Sequence, residues 1–169
     1  MDQDELAKII DAHGEHLLKM AFFYVRDRET AKDIVQDVFI SFYGSTNYEE
    51  RGTLRAYLTK LTVNRCKDHL RSWSFRNLLF TDNWVETLHR QQDPLILKEE
   101  RTELAIAIMK LPVKYREVLI FYYYEGYKIK EIAAFLGLSE NTVKARMVKA
   151  RKLLKEKLKS EDWEVLSNE

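Results

Sequence analysis

Two prolines and five glycines are all the helix breakers in a chain of 169 residues, and this scarcity is the strongest limit on what it can build. Proline removes a backbone donor and clashes with the preceding turn, and glycine costs backbone entropy. Long stretches free of both permit long helices and disfavour a turn-rich β protein. Hydrophobic residues make up 46% of the chain, ample for a buried core. The length suits one large domain or two small ones. The expected class is all-α, as two small helical domains joined by a linker.

Apolar spacing places the helices. Leu6, Ile9, Ile10, His13, Leu17, Met20 and Ala21 form one stripe, predicting a first helix to about Val25. From Glu29 a second helix turns Ala31, Ile34, Val35, Val38 and Phe42 inward and sets Asp33, Gln36 and Asp37 together on its outer face. GSTNYEERGT, Gly44 to Thr53, is rich in turn formers and reads as a loop. A third helix from Leu54 to about Trp73 is predicted to bury Leu54, Leu58, Leu61 and Leu70 and to expose Arg55, Arg65, Lys67 and Arg71. Residues 74–98 lack clean periodicity and include Pro94, as a linker would. Leu104, Ile108 and Leu111 then precede Pro112, and a further helix is predicted from about Lys114 to Tyr124. The expected domains are 1–73 and 99–159, with a linker over 74–98 and a tail, without a further domain, over 160–169.

The next segment is the most informative. KIKEIAAFLG places Ile129, Ile132, Ala133 and Leu136 at i, i+3, i+4 and i+7 and stops at Gly137, a good residue for ending a helix. Only Leu138 separates it from Ser139, which is suited to cap the following helix, with Glu140 complementing the dipole of the first turn. In SENTVKARMVKARK the residues Val143, Met147, Ala150 and Leu154 form the buried stripe. Opposite lie Ala145, Val148, Lys149 and Lys152, flanked by Lys144 and Arg146, with no carboxylate among them. Solvated faces ordinarily mix both signs. Two short helices joined by a glycine turn, the second basic on its open side, form the pattern of a helix-turn-helix that enters the DNA major groove.

The net charge of +1 hides a segregation along the chain. Residues 51–76 hold seven Lys or Arg against one acid, and residues 128–158 hold nine against three, so each stretch carries +6. Residues 1–50 hold five bases against eleven acids, a net of −6. Two basic modules on an acidic body suggest two contacts with a polyanion and a separate surface for a basic partner.

Several classes are excluded. Cys66, the single cysteine, allows no internal disulfide and fits a reducing compartment. His13 and His16 lie at i, i+3 without a third ligand, so no metal site is expected. The N-terminus MDQDELAKII is acidic where a signal peptide would be basic, and the longest apolar run, Val118 to Tyr124, is too short to span a bilayer. A cytoplasmic protein without membrane insertion is expected. There is no phosphate-binding glycine loop and no nucleophile with a paired base, so neither a cofactor nor an enzymatic activity is called for.

Across nearly its whole length the chain resembles the extracytoplasmic-function sigma factors of bacterial RNA polymerase. TAKDIVQDVFISFY is similar to their region 2.2, LRAYLTKLTVNRCKDHLRS to regions 2.3 and 2.4, and LPVKYREVLIFYYYEGYKIKEIAAFLGLSENTVKARMVKARKLLKEKL to region 4, in the family's order. Lys32, Tyr57, Thr62 and Asn141 depart from the family's usual acidic, tryptophan, small and glycine residues. Lys32 weakens the acidic patch, and Asn141 alters phosphate contacts at the start of the recognition helix.

The resemblance implies a factor that binds core polymerase, reads the duplex minus-35 element of promoter DNA, and melts and captures the minus-10 element. Asp33, Gln36 and Asp37 would dock on the β′ clamp helices, and region 4 on the β flap. At the minus-35 element Lys144, Ala145, Val148 and Lys149 would reach base edges, and Arg146, Arg151 and Lys152 would hold phosphates. Ser139, Asn141 and Thr142 complete that set. At the minus-10 element Asn64, Asp68 and Arg71 match the family's N-x-x-x-D-x-x-R, joined by Arg55, Arg65 and Tyr48. Tyr48 and Tyr57 are candidate stacking platforms, although Tyr57 lies beside the core stripe. An anti-sigma factor is the further partner implied. A dimeric repressor would share the helix-turn-helix but bind a duplex palindrome by itself. A nucleic-acid hydrolase would need clustered carboxylates, for which Asp33 and Asp37 are the sole candidates.

Overall fold

The computed structural model describes residues 1–45, 53–76 and 102–158. Among these every regular element is a helix. The chain divides into two units, Met1–Trp84 and Val85–Glu169. The predicted linker, apart from its first residues, and the tail lie outside the described residues, as does the loop over 46–52 with Tyr48.

The first unit is built from three mutually packed helices: α1 (Gln3–Val25), α2 (Arg28–Gly44) and α3 (Leu54–Arg76). Asp2 and Glu5 close a capping box on α1, with Asp2 Oδ1 accepting from the Glu5 N–H at 2.8 Å and Glu5 Oε2 accepting from the Asp2 N–H at 3.1 Å. Arg26 ends the helix in the left-handed region, at φ 61°, and Asp27 at once caps α2 by accepting from the Thr30 N–H at 2.9 Å. Two residues therefore turn the chain from α1 into α2. The core between the helices holds Leu17, Met20, Ala21, Tyr24, Ala31, Val38, Phe42, Leu58, Val63 and Cys66.

Three expectations are corrected here. In α3 Leu58 is fully buried, but Leu54, Leu61 and Leu70 are half-exposed, and the buried stripe instead includes Thr59, Thr62, Val63 and Cys66. The threonines enter the core because each hydroxyl donates to the carbonyl one turn back, Thr59 to Arg55 at 2.7 Å and Thr62 to Leu58 at 2.9 Å. With that donor satisfied, they pack like small β-branched residues. In α1, Leu6 and Ile9 are half-buried and Ile10 is 40% exposed, so the front of the predicted stripe misses the core. Leu6, Ile10, Gly14 and Leu18 lie at i, i+4, i+8 and i+12 and form a ridge along a groove beside α2. α3 also continues to Arg76, three residues beyond Trp73.

The second unit comprises α4 (Thr102–Met109), α5 (Val113–Leu119), a π-helical turn (Ile120–Tyr124), α6 (Ile129–Leu136) and α7 (Glu140–Lys157). The helix predicted up to Tyr124 thus changes its winding at Ile120. The widened turn is held by aromatic contacts of Phe121, whose ring centroid lies 4.8 Å from that of Phe135 and 5.5 Å from that of Tyr127. The predicted helix-turn-helix is present as α6, Gly137 at φ 67°, and α7 capped by Ser139, whose Oγ accepts from the Thr142 N–H at 3.1 Å. Only glycine takes that φ without strain.

The unexpected element of this core is Arg116, which is 1% exposed. Its Nη1 donates to the Met109 carbonyl at 2.9 Å and the Leu111 carbonyl at 3.2 Å. It thereby satisfies one acceptor that α4 leaves open at its C-terminal end and a second in the link to α5. Arg116→Met keeps the bulk but strands both carbonyls, and should cost about 2 kcal/mol or more of unfolding free energy by urea denaturation. Lys152→Met, on the exposed face, should stay within about 0.5 kcal/mol of the parent chain. Equal effects of the two would show that Arg116 does not hold the α4–α5 corner.

Candidate nucleic-acid interface

α7 owes its rotation to the stripe predicted for it. Val143, Met147, Ala150 and Leu154 are all at most 1% exposed. The opposite side is accordingly open, and Asn141, Lys144, Ala145, Val148, Lys149 and Lys152 are exposed together on it. Val148 is 68% exposed, unusual for a branched apolar side chain, and it sits among lysines. A surface of this kind offers cations for phosphates and a methyl-bearing group for close apolar contact.

Other predicted residues of α7 are engaged in the fold. Arg146 is half-buried and lies 3.8 Å from Oε1 of Glu117, itself 3% exposed. The Arg151 guanidinium sits 5.5 Å and 5.9 Å from the ring centroids of Tyr122 and Tyr123, and its Nε donates to the Tyr123 hydroxyl at 3.2 Å. These contacts lock α7 to α5 and to the π turn. Ser139 caps the helix, and half-buried Thr142 places its hydroxyl 2.8 Å from that of Ser139.

In the first unit Arg55, Asn64, Arg65, Asp68 and Arg71 are all exposed on α3. Asn64, Asp68 and Arg71 share one face at i, i+4 and i+7. Arg71 Nη2 donates to Asp68 Oδ1 at 2.8 Å. Arg65 donates through Nη2 to Ser41 Oγ at 2.6 Å and holds Nη1 4.0 Å from Asp37. Half-buried Tyr57 packs against Phe42 with ring centroids 6.1 Å apart, on the packing side of its two readings.

On α2 the residues Asp33, Gln36 and Asp37 are exposed together. Lys32, the departure within that patch, is ion-paired to Glu29 of its own helix at 3.4 Å. Sequence reasoning missed what lies beside them. A groove of about 430 Å³ between α1 and α2 is lined by Leu6, Ile10, Leu18, Phe39, Ile40 and Tyr43 and bordered by Gln36. Ile40 and Tyr43 are 63% and 46% exposed. The signal was available as apolar residues flanking the acidic face of α2.

Among the described residues no group of three or more metal-ligating side chains occurs. His16 bonds to Thr59 and Arg55 instead. Burial, followed by the charge of Arg55, pushes the His16 pKa down from 6.5 to about 4, and the same two causes lower that of His13. Cys66 is buried, which raises its thiol to about 12 and leaves it inert as a nucleophile. No helix of the described residues is long and apolar enough to cross a membrane.

Family models match both units: Sigma-70 region 2 over residues 9–75, and Sigma-70, region 4 over residues 101–154. The chain is 29% identical over 158 residues to the RNA polymerase sigma factor SigV of Bacillus subtilis, covering 93% of each chain. It is 28% identical over 151 residues to the ECF RNA polymerase sigma factor SigM of Mycobacterium tuberculosis, covering 89% of this chain and 75% of that protein. In fold it resembles the sigma factor RpoE of Bartonella quintana, solved in complex with the anti-sigma factor NepR. The TM-score there is 0.65 at 21% identity, over 94% of this chain and 96% of that one. It also resembles CnrH, solved with the cytosolic domain of CnrY, with a TM-score of 0.63 at 24% identity over 92% and 88%.

The low His16 pKa makes stability depend on pH. The unfolded imidazole takes up a proton near 6.5 and the folded one only near 4. The contribution is therefore complete above pH 6.5 and is lost as pH falls from there towards 4. Over that window the parent chain should lose about 1 kcal/mol more than His16→Gln in urea unfolding, a figure reduced from the full shift because solvent reaches the ring. Parallel stability curves for the two proteins would show that His16 titrates normally.

Proposed function

The chain belongs to the extracytoplasmic-function group of the sigma-70 family, and from that premise we propose that it binds core RNA polymerase in the cytoplasm and directs promoter-specific initiation. The observation that carries the reading is the open face of α7. There Lys144, Lys149 and Lys152 surround an exposed Val148 with no carboxylate among them. In this reading α7 lies in the major groove of the minus-35 element. Lys144, Ala145, Val148 and Lys149 meet base edges, Val148 against a thymine methyl, and Asn141 and Lys152 meet phosphates. Arg146 and Arg151 act from behind, by fixing α7 against α5 and the π turn.

The first unit takes the other two tasks. α3 receives the unpaired minus-10 non-template strand along Arg55, Asn64, Asp68 and Arg71, where extruded bases are read by hydrogen bonding. Arg65 belongs to the same surface. The exposed acids of α2 receive a basic element of the polymerase, the β′ clamp helices, and the adjoining apolar groove takes side chains from it. Because Arg65 pairs with Asp37, a cation docking on Asp37 competes with Arg65 and frees its guanidinium for DNA. The second unit docks on the β flap. By likeness to RpoE bound to NepR, an anti-sigma factor is the further partner. The action is that of a specificity factor and not of an enzyme.

Fluorescence anisotropy of labelled chain titrated with core polymerase tests the polymerase half of the reading. Asp37→Lys and Ile40→Asp change exposed positions, so helical content should hold while core binding weakens about tenfold or more. Affinity equal to the parent's in both variants would reject this docking surface. With the holoenzyme, Lys152→Ala should weaken all promoter variants alike and reduce the salt slope by about 0.9. Altering Lys144 should shift base preference at the minus-35 element by about 1–3 kcal/mol. Identical preference profiles for the Lys144 variant and the parent would place α7 elsewhere.

A further inference from the structure

His16 lies on α1, yet two of its hydrogen bonds lead to a single residue at the head of α3. Its Nε2 is 3.2 Å from Thr59 Oγ1, and its Nδ1 is 3.2 Å from Nη2 of Arg55. Thr59 in turn donates its hydroxyl hydrogen to the Arg55 carbonyl at 2.7 Å. These three contacts fix the direction of the hydrogens they use. A hydroxyl has one hydrogen, and Thr59 has committed it to Arg55, so Oγ1 can only accept from His16. Nε2 must then carry the imidazole hydrogen and Nδ1 must be bare. A bare Nδ1 is the acceptor that a guanidinium N–H requires.

The result is a closed circuit running from the Arg55 side chain through His16 and Thr59 to the Arg55 backbone. Thr59 is 1% exposed, and the helices that carry the circuit pack directly against each other. The circuit requires a neutral imidazole, since a protonated one has no acceptor. Burial and the neighbouring cation keep the ring in that form down to about pH 4. An imidazole also holds a guanidinium without cancelling its charge, in contrast to the carboxylate of Asp68 that pairs with Arg71.

We propose that His16 is a positioning residue for nucleic-acid binding: through Thr59 it holds the Arg55 guanidinium at the head of α3, where Arg55 contacts a backbone phosphate of the unpaired minus-10 strand. This rests on the reading of α3 as the surface for that strand. A free arginine side chain loses rotamer freedom on capturing a phosphate, and a tethered one has already lost it. His16 therefore acts on DNA affinity without touching DNA.

The test uses holoenzyme assembled with core polymerase and a fluorescent single-stranded non-template oligonucleotide spanning the minus-10 element, titrated at several salt concentrations. Arg55→Ala should weaken binding and lower the salt slope by about 0.7, the value for one phosphate on a single strand, or roughly 2.5-fold less loss between 50 and 200 mM salt. His16→Leu should also weaken binding, with a smaller change in slope because the released guanidinium still reaches the phosphate at the cost of its rotamer freedom, and the double variant should be no worse than Arg55→Ala alone. His16→Gln retains one donor and one acceptor and should stay within about twofold of the parent chain. Thr59→Val, which removes only the hydroxyl, should behave like His16→Leu and serves in its place if the leucine variant does not fold. Core binding should be unchanged throughout. Loss in Arg55→Ala together with parental behaviour in His16→Leu and Thr59→Val would overturn the positioning role alone, as would losses that add fully in the double variant. Parental behaviour of Arg55→Ala would overturn the reading of α3, and the positioning role with it.

Discussion

Rotation of α7 about its own axis decides what this chain can present, and that rotation is set by the burial of Val143, Met147, Ala150 and Leu154. A helix packed along one stripe has no freedom in what lies opposite, because the net of 3.6 residues per turn fixes it. Burial of four apolar side chains therefore turns Lys144, Val148 and Lys152 outward as firmly as it turns the stripe inward. The ion pair between Arg146 and buried Glu117 fixes the same rotation from the flank. Breaking such a pair would leave a carboxylate 3% exposed without that partner, and buried charge is costly to strand. Apolar packing and electrostatics select one orientation.

The cations divide by chemistry. Among the described residues of the second unit the arginines face the protein: Arg116 bonds at the end of α4, Arg146 meets Glu117, and Arg151 lies over two tyrosines. The lysines Lys144, Lys149 and Lys152 face solvent. A planar guanidinium suits carbonyls, carboxylates and aromatic faces, whereas an ammonium is strongly hydrated and better placed outside. Net charge along the sequence counts both kinds alike. The +6 of residues 128–158 thus overstates the charge on the open face, since two of its contributors are engaged elsewhere.

How much was legible follows from which interactions are local. The α7 stripe, the Ser139 cap and the Gly137 turn depend on spacing within a few residues, and each appears where the sequence placed it. The acidic face of α2 was equally plain. Thr59 and Thr62 were left out of the predicted stripe because their burial depends on a backbone carbonyl one turn away accepting the hydroxyl, which no hydropathy pattern records. Arg116 escaped notice for a similar reason, since its acceptors are backbone carbonyls at a helix end and in the link that follows it. The groove escaped because Ile10 reads as a core residue, and Ile40 stands outside the predicted stripe of α2, until the packing shows that α1 carries two ridges, one of which the other helices leave uncovered.

Within the first unit the acidic and basic surfaces meet. Arg65 of α3 reaches Ser41 and Asp37 of α2, so each charged face partly answers the other. The Asp37 and Arg65 side chains are 62% and 45% exposed, and pairs so open to water contribute only about 0–1 kcal/mol. The fold loses little when such a pair opens. A stronger, buried pair would hold these two groups together at the expense of any partner that needed either one. His16 and Arg55 represent the opposite arrangement, an exposed arginine bonded to a half-buried acceptor that is neutral. There the tether restricts the side chain without itself neutralising it. Exposure and the charge of the partner together determine whether a contact within this unit competes with a ligand or prepares for it.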